Sequence, residues 1–460
     1  MKVPLLVIGG GLSGIAAATR AARFTPDVLI LEKHSRIGGL NSYFYRNKTL
    51  FETGLHAVTN YAPPEDKKSP LNRLLRQLKL KRNDFSFCQQ YQSEVTFLDA
   101  ESLCFSNDFS LLESQISEKF PASIDNFQRL QAFLGELDPF VPSPFRSAKT
   151  VLIEILGDRL LVDMLLCPLM YYGSSHENDM DLNQFVIMFQ AIYQQGMFRP
   201  ETSIKNFLDH LIDHYLAFGG SIRKNCGVTR IIHKNKKVSG VELQSGEIIE
   251  CDHVLSTIGY DETRKLMGKK TRPALPRMGF TETIFQVESS DKLKLPSRKT
   301  IIFYSNSSEF SYEKPDGFVD HSSGVICFPS NFEGIARKSL FEVRATHLAN
   351  YTKWKEISAD PSAYADLKTL SSNKTLSCVQ NIVGSFSSNI VYENTFTPIT
   401  IERYTSKIDG AIYGSPVKIK DGDIGFTNLF LAGTDQGFLG IIGSMLSGVS
   451  IANQHILSKL

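Results

Sequence analysis

Paired cysteines are missing from this sequence. Its seven cysteines, at positions 88, 104, 167, 226, 251, 327 and 378, are odd in number, widely spaced and never in a CxxC arrangement. That argues against a disulfide framework and against a zinc site, and it fits a reducing, cytoplasmic setting with no metal. A surplus of one charge sign is missing too. The formal net charge is +2, and no basic stripe is interleaved with aromatics, so no nucleic-acid partner is expected. Long apolar runs are absent as well. The run at 3–8 is too short for the hydrophobic part of a signal peptide and passes directly into glycines. The stretch 151–172 is broken by Glu154, Asp158, Arg159, Asp163 and Pro168, which makes it a buried helix and not a membrane span. No internal repeat or long low-complexity segment appears.

What remains is an ordinary globular composition, 42% hydrophobic and 21% charged over 460 residues. One hydrophobic core rarely grows that large, so two or three packed subdomains are expected. The chain opens on Val3-Pro4-Leu5-Leu6-Val7-Ile8, the pattern of a parallel strand buried on both faces. Gly9, Gly11 and Gly14 then form GxGxxG, with Leu12 and Ser13 between them and Ile15-Ala16-Ala17-Ala18 continuing as a helix of small residues. The first glycine permits a tight turn, the second lets backbone approach a pyrophosphate, and the third lets the helix pack closely on the strand. The helix N-terminus offers free N–H groups to phosphate. A second apolar strand, 27–31, ends in Glu32. That is about 20 residues past the glycines, where a carboxylate accepts hydrogen bonds from ribose hydroxyls and repels a 2′-phosphate. Strand, glycines, helix and acid agree on a dinucleotide.

Two further segments select which one. After Glu32 and Lys33 come Arg36-Ile37-Gly38-Gly39-Leu40-Asn41 and then Gly54-Leu55-His56. An NAD domain has no need of this second glycine pair; a flavoprotein runs such a segment under the pyrophosphate and ribityl chain, with Arg36 balancing phosphate charge. Taken alone, the same residues also read as a surface loop with turn glycines. Near the other end, 428–432 is a short buried strand followed by Gly433-Thr434-Asp435, and Gly437, Gly440, Gly443, Ser444 and Gly448 open a final helix. Its N-terminus suits the electron-rich edge of a flavin ring, with backbone near Met445 in contact and Asp435 at the ribityl hydroxyls or pyrophosphate. The expected cofactor is FAD. No cysteine lies in 428–450, so non-covalent binding is expected.

The stretches VIGGGLSGIAAA, LEKHSRIGGLNSYF and FETGLHAV resemble the FAD-dependent amine oxidase superfamily. Three later stretches are similar to its phytoene desaturase and retinol saturase branch: Arg199-Pro200 with 208–220 and 225–231, Phe396 to Thr405 with Gly410-Ala411-Ile412-Tyr413-Gly414, and the closing LFLAGTDQGFLGIIGSMLSGVSIA. The resemblance runs in order along nearly the whole chain. It departs at Pro200-Glu201-Thr202-Ser203, where the branch usually has proline followed by two glycines, and at Asp435-Gln436 and Phe438. It implies an α/β fold with a discontinuous, glutathione-reductase-like FAD-binding Rossmann domain and a substrate domain of mixed sheet plus helices. Residues 1–64, 215–265 and 415–460 then build the FAD domain, with Val228 placing its backbone against the adenine. Residues 65–214 form a helical substrate region, and 266–414 a substrate domain with a mixed sheet.

Periodicity fills in the substrate regions. Leu71, Leu74, Leu75 and Leu78 recur at helical spacing in a helix over 71–82, with Arg73, Arg76, Lys79, Lys81 and Arg82 on its other faces. Those cations read as a solvated face or, alternatively, as a surface that docks on acidic lipid. Residues 283–287, 300–304 and 325–328 read as strands, and 361–385 as helical. The resemblance implies hydride exchange between FAD and a hydrophobic polyene or isoprenoid, by desaturation, saturation or isomerisation. The expected partner is a lipophilic small molecule, with peripheral membrane contact as a corollary and the oligomeric state open. One alternative is a flavin amine oxidase, weakened because the only tryptophan, Trp354, lies far from that group's aromatic cage. Another is a non-catalytic prenyl-protein binder of the dissociation-inhibitor type, weakened because the full flavin-binding set is present. Candidate catalytic residues are His56, Arg403 and Tyr404. Each has a plainer role beside that one: a loop cap for His56, a structural ion pair for Arg403, sheet packing for Tyr404.

Overall fold

The computed structural model describes residues 2–54, 57–141, 143–272 and 275–460. The opening apolar run is a strand, Lys2–Ile8, buried throughout from Leu5 to Ile8. It pairs in parallel with Leu29–Leu31 on one side and Ile248–Ser256 on the other. Ser221–Arg223 extends the sheet in parallel beyond Leu29–Leu31, and Leu429–Leu431 joins Ile248–Ser256, again in parallel. An antiparallel hairpin, Val228–Lys234 with Lys237–Leu243, completes it. One sheet therefore draws its strands from three stretches far apart in sequence, the discontinuous Rossmann-like arrangement that the motifs imply.

Small residues let the terminal helices meet. The opening helix, Leu12–Ala22, lies between the sheet and the closing helix, Gly440–Ile451, in one apolar core that includes Leu5, Val7, Ala18 and Val449. A Cβ on Gly14 would lie 2.1 Å from Gly9 O, and one on Gly448 would lie 2.1 Å from Ser13 O. Neither close approach tolerates a side chain.

The second sheet runs Ile390–Phe396, Gly279–Glu288, Leu340–Ala349, Ser323–Cys327, Lys299–Ser305, Gln92–Phe97, Ser102–Phe105. It is antiparallel except where Lys299–Ser305 meets Gln92–Phe97. The alternation within each strand divides its side chains between two cores. Phe280, Phe303 and Val325 pack with the helices Arg159–Gly173 and Leu182–Phe189, while Phe285, Val343 and Ala345 pack with Pro361–Val383.

Two expectations about helices are corrected. The helix expected over 71–82 is Pro70–Leu78, because Lys79 turns left-handed at φ 57°. Its four leucines are buried, but Arg82 lies beyond the helix and acts as a strut, donating to Ala62 O (2.6 Å) and Asn72 Oδ1 (2.8 Å). The stretch 151–172 is two helices and not one. Gly157, at φ 73°, ends Ala148–Leu156, and Asp158 caps Arg159–Gly173 by accepting from Leu161 N (3.0 Å). Among the described residues, no helix is long and apolar enough to cross a membrane.

Candidate functional site

The first glycine turn forms a slot without side chains. Gly9 sits at φ +106° and donates to Leu31 O (2.9 Å), while Gly38 donates to Gly10 O (2.8 Å). Gly11 and Gly39 face each other, so that a Cβ on Gly39 would meet Gly11 Cα at 3.4 Å. Glu32 closes one end of the slot, its carboxylate accepting from Gly10 N (2.8 Å) and His34 N (2.7 Å). The opening helix, capped by Gly11, and the closing helix, capped by Leu439, have no side-chain cap. Elsewhere Ser69, Asp158 and Asp360 cap their helices with side-chain oxygens. In the first turn of the opening helix, the buried Ser13 Oγ has no hydrogen-bond partner among the described residues.

The slot borders a cavity of about 840 Å³. Of the residues expected to hold cofactor, Glu32, Arg36, Gly39, Leu40, Asn41 and Gly54 line it from the first segment, and Thr434 and Ser444 from the last. Gly9, Gly11, Leu12, Ser13, Gly14 and Gly38 belong to the turn and helix bordering it, off the cavity lining. Lys33 instead hydrogen-bonds Ser406 through its ammonium, and Val228, paired with Leu243 in the edge hairpin, is also off the lining. Gly433 donates to Ser447 Oγ (2.7 Å), and Met445 is packed in the core beneath the closing helix; neither they nor Gly443 line the cavity. Asp435 is committed to the turn, accepting from Ser415 N (2.8 Å) and Tyr260 N (2.7 Å). Burial pushes this carboxyl up, but Lys407, Lys418 and those two donors outweigh it and hold it below the usual range. His56 lies outside the described residues.

Arg403 and Tyr404 line the cavity at an exposed rim. Tyr404 is edge-on to His34, and the Arg403 guanidinium lies 5.9 Å from the Tyr404 ring. The structural ion pair expected of Arg403 is not found: it has no carboxylate partner among the described residues. Trp354 is buried, donates to Phe318 O (3.0 Å) and takes no part in the cavity wall.

Residues 12–291 match the flavin containing amine oxidoreductase family. The chain belongs to that family. Its members' flavin makes this protein an FAD-dependent oxidoreductase. It is 22% identical to the all-trans-retinol 13,14-reductase of Danio rerio, across 98% of this chain and 86% of that protein. It is 21% identical to the 4,4'-diaponeurosporene oxygenase of Staphylococcus aureus strain USA300, across 90% and 88%. An oxidoreductase from Methanosarcina mazei shares the fold with a TM-score of 0.70 at 15% identity, covering 98% of this chain and all of that one.

The slot fits the family's cofactor. Facing glycines leave room for a pyrophosphate, two uncapped helix N-termini offer N–H groups, and the unpartnered Ser13 hydroxyl is a further donor.

Sequence reasoning passed over one group of this flavoenzyme's cavity residues. Glu282, Tyr172 and Thr346 line the wall formed by the second sheet and the helix Arg159–Gly173. The Arg344 guanidinium, fully buried, donates to Glu282 Oε1 (3.0 Å), to Glu342 Oε2 (2.7 Å) and to Glu52 O (2.9 Å), and it also bonds Gly54 O. Nearby, Arg199 pairs with Glu52 at 3.0 Å. Three carboxyls thus share two guanidiniums, and burial pushes Glu282 up to about 7 against the pull of Arg344. The available signal was a charge in the middle of an otherwise β-forming run, present in both Gly279–Glu288 and Leu340–Ala349. The departure at Pro200-Glu201-Thr202-Ser203 also acquires a reason: Ser203 caps the helix Ile204–Ala217 by accepting from Asn206 N (3.3 Å).

Proposed function

We propose that this flavoenzyme exchanges hydride with a carbon of a lipophilic polyene or isoprenoid held in the cavity. The observation that carries this reading is the joining of the glycine slot and an aromatic-walled chamber in one space, with Phe280, Tyr171, Tyr413 and Ile412 on the chamber side. The two curated relatives, named for a retinol reductase and a diaponeurosporene oxygenase, support the same substrate class. The FAD, when bound, accepts or supplies the hydride.

The chain's own residues do the rest. Gly9, Gly11, Gly38 and Gly39 admit the pyrophosphate, Glu32 takes the ribose, and Arg36, Asn41, Gly54, Thr434 and Ser444 hold the remainder. Asp435 and Lys418 keep the 433–437 turn in place, Lys418 donating to Tyr413 O (2.7 Å) and Thr434 O (3.1 Å). Tyr413 hydrogen-bonds Tyr171 O, fixing two walls of the chamber against each other and keeping water from the reacting carbon. Non-covalent attachment is in keeping with a described cavity lining that holds no cysteine for a thioether link. A peripheral membrane contact at the rim is supported by Tyr45 and Tyr404, exposed beside Arg46, Lys368 and Arg403.

The test is the absorbance spectrum of the purified protein, followed by anaerobic titration with lipophilic alkenes and with amines. Flavin absorbance that an isoprenoid substrate bleaches, or whose reduced form it reoxidises, supports the reading. Bleaching by amines alone overturns it.

A further inference from the structure

The wall built by the second sheet holds a row of cavity-facing residues drawn from four strands. Val325 is paired with Thr346, Thr346 with Glu282, and Glu282 with Phe396. Directly paired residues of antiparallel strands project to the same face, and all four line the cavity. The row therefore reads apolar, hydroxyl, carboxyl, apolar. Tyr172 joins its polar centre from the helix Arg159–Gly173.

The hydroxyls in this row differ from their neighbours. Tyr171 Oη pairs with Ser323 Oγ (2.8 Å), Thr395 with Thr283 (3.0 Å), and Tyr413 with Tyr171 O. Tyr172 Oη and Thr346 Oγ1 are buried with no hydrogen-bond partner among the described residues. Leaving one such group unsatisfied costs about 1–3 kcal/mol, and here two stand beside a carboxyl. Arg344 engages only Oε1 of that carboxyl in the hydrogen bonds it makes, and 12% of the Glu282 side chain stays accessible. Burial, helped by Glu342, raises this carboxyl against the pull of Arg344, and in its acid form Glu282 donates a hydrogen bond as the two hydroxyls do.

We propose that Tyr172, Thr346 and Glu282 form a subsite for an oxygen atom of the substrate, so that the molecule taken into the cavity is an alcohol or a carbonyl compound and not a pure hydrocarbon. This rests on the lipophilic-substrate reading above and narrows it. The oxygen lodges in the polar centre of the row, while the hydrocarbon part lies against Phe280, Val325 and Phe396. Three groups that are donors together reject an analogue lacking the oxygen, because that analogue leaves them unpaired.

The experiment uses the flavin-loaded enzyme and calorimetric titration with two matched probes: geranylgeraniol and the hydrocarbon in which its hydroxyl is replaced by hydrogen. The alcohol is expected to bind about tenfold or more tightly than the hydrocarbon. In the double variant Tyr172→Phe with Thr346→Val, that preference should fall to about twofold or less, with the hydrocarbon binding at least as tightly as to the wild type and the flavin spectrum unchanged. Equal binding of the two probes to the wild type overturns the subsite while leaving the lipophilic-substrate reading intact, as does a double variant that keeps the full preference. Failure of both probes to bind an enzyme with a normal flavin spectrum overturns both. If the double variant loses its flavin, the single variants Tyr172→Phe and Thr346→Val decide, each by a reduced preference or an unchanged one.

Discussion

Replacing Gly448 by alanine tests the contact that joins the two ends of the chain around the cofactor slot. The added Cβ would lie 2.1 Å from Ser13 O and 3.0 Å from Ala17 N, where ordinary contact begins at 3.4 Å. Both obstacles are backbone atoms of the opening helix, which no rotamer change can move. The closing helix must retreat by roughly 1 Å from a close-packed core, which costs about 3 kcal/mol, the upper end of the overpacking range. An unfolding entropy of about 2.1 cal/mol/K per residue, taken over the whole chain, makes that loss roughly 3 °C in melting temperature. Because the retreat begins at Ser13, the slot should loosen as well, and FAD should dissociate at lower temperature than the polypeptide melts. Gly135→Ala is the control. It lies in the helix Ile124–Glu136 with nothing within 4 Å of its would-be Cβ, so alanine should stabilise that helix by about 0.5–1 kcal/mol. The assay is a thermal melt followed by flavin fluorescence and by circular dichroism together. If Gly448→Ala melts and releases flavin like the wild type, the close approach of the two helices is wrong as described.

Glu32→Ala removes the acceptor of two backbone N–H bonds together with the proposed ribose contact. FAD should bind about 10- to 100-fold more weakly on that account, measured by equilibrium dialysis, and wild-type affinity would refute the role. Glu282 gives a pH signature. Its native carboxyl titrates near 7 against an ordinary 4.5, so the folded protein holds a proton that the unfolded chain releases. The stabilising effect of that proton is present below about 4.5 and is lost as pH rises through 7. The groups facing Glu282 are Arg344 and Glu342 from the neighbouring strand, with the Glu52–Arg199 pair beyond and Tyr172 opposite. Glu282→Gln should therefore gain stability on the wild type between pH 5 and 8, by up to about 3 kcal/mol, as read from urea melts at each pH; a constant difference would refute the assignment. Changing Arg46, Lys368 and Arg403 together to glutamine should at least halve sedimentation with anionic liposomes, while the same change at Arg73 and Arg76 should not.

The parts that sequence made visible are those set by local chemistry. A buried parallel strand, a turn that only glycines can make and an acid at the end of the next strand are written within a few dozen residues, and the strand, slot and carboxylate stand together accordingly. Of the two helix boundaries missed, only the one at Gly157-Asp158 was also locally encoded, not the one at Lys79. A left-handed lysine carries no strong signal, while a glycine followed by an aspartate cap does, and there the apolar continuity of 151–172 outweighed it. The cavity wall is of another kind. Val325, Thr346, Glu282 and Phe396 form one row only because four strands align in a particular register, and no spacing in the chain states that register. Read alone, Phe280-Thr281-Glu282-Thr283 suggests an acid on a solvent face. In the sheet, alternation sets Glu282 on the cavity face with Phe280, where the fully buried Arg344 on the adjacent strand, itself a mid-strand charge, donates to it.

That difference bears on how function is divided along the chain. The cofactor slot depends on backbone, so its requirements appear as glycines and are shared wherever the same turn is used. The chamber depends on side chains gathered from the helix at 159–173, the second sheet and the loop at 412–413, each held by contacts that do not touch the slot. A substitution at Tyr172 or Thr346 leaves Gly9, Gly11 and Glu32 in place, so specificity can change while the flavin stays bound. Lys418, which donates to Tyr413 O and to Thr434 O, is one exception, and Arg344 is another. It bonds Glu282 in the chamber and the carbonyls of Glu52 and Gly54 at the cofactor edge, so its loss should disturb both together. Arg344→Met should accordingly lower FAD retention and the preference for the alcohol probe in the same protein, whereas Thr346→Val should lower only the second.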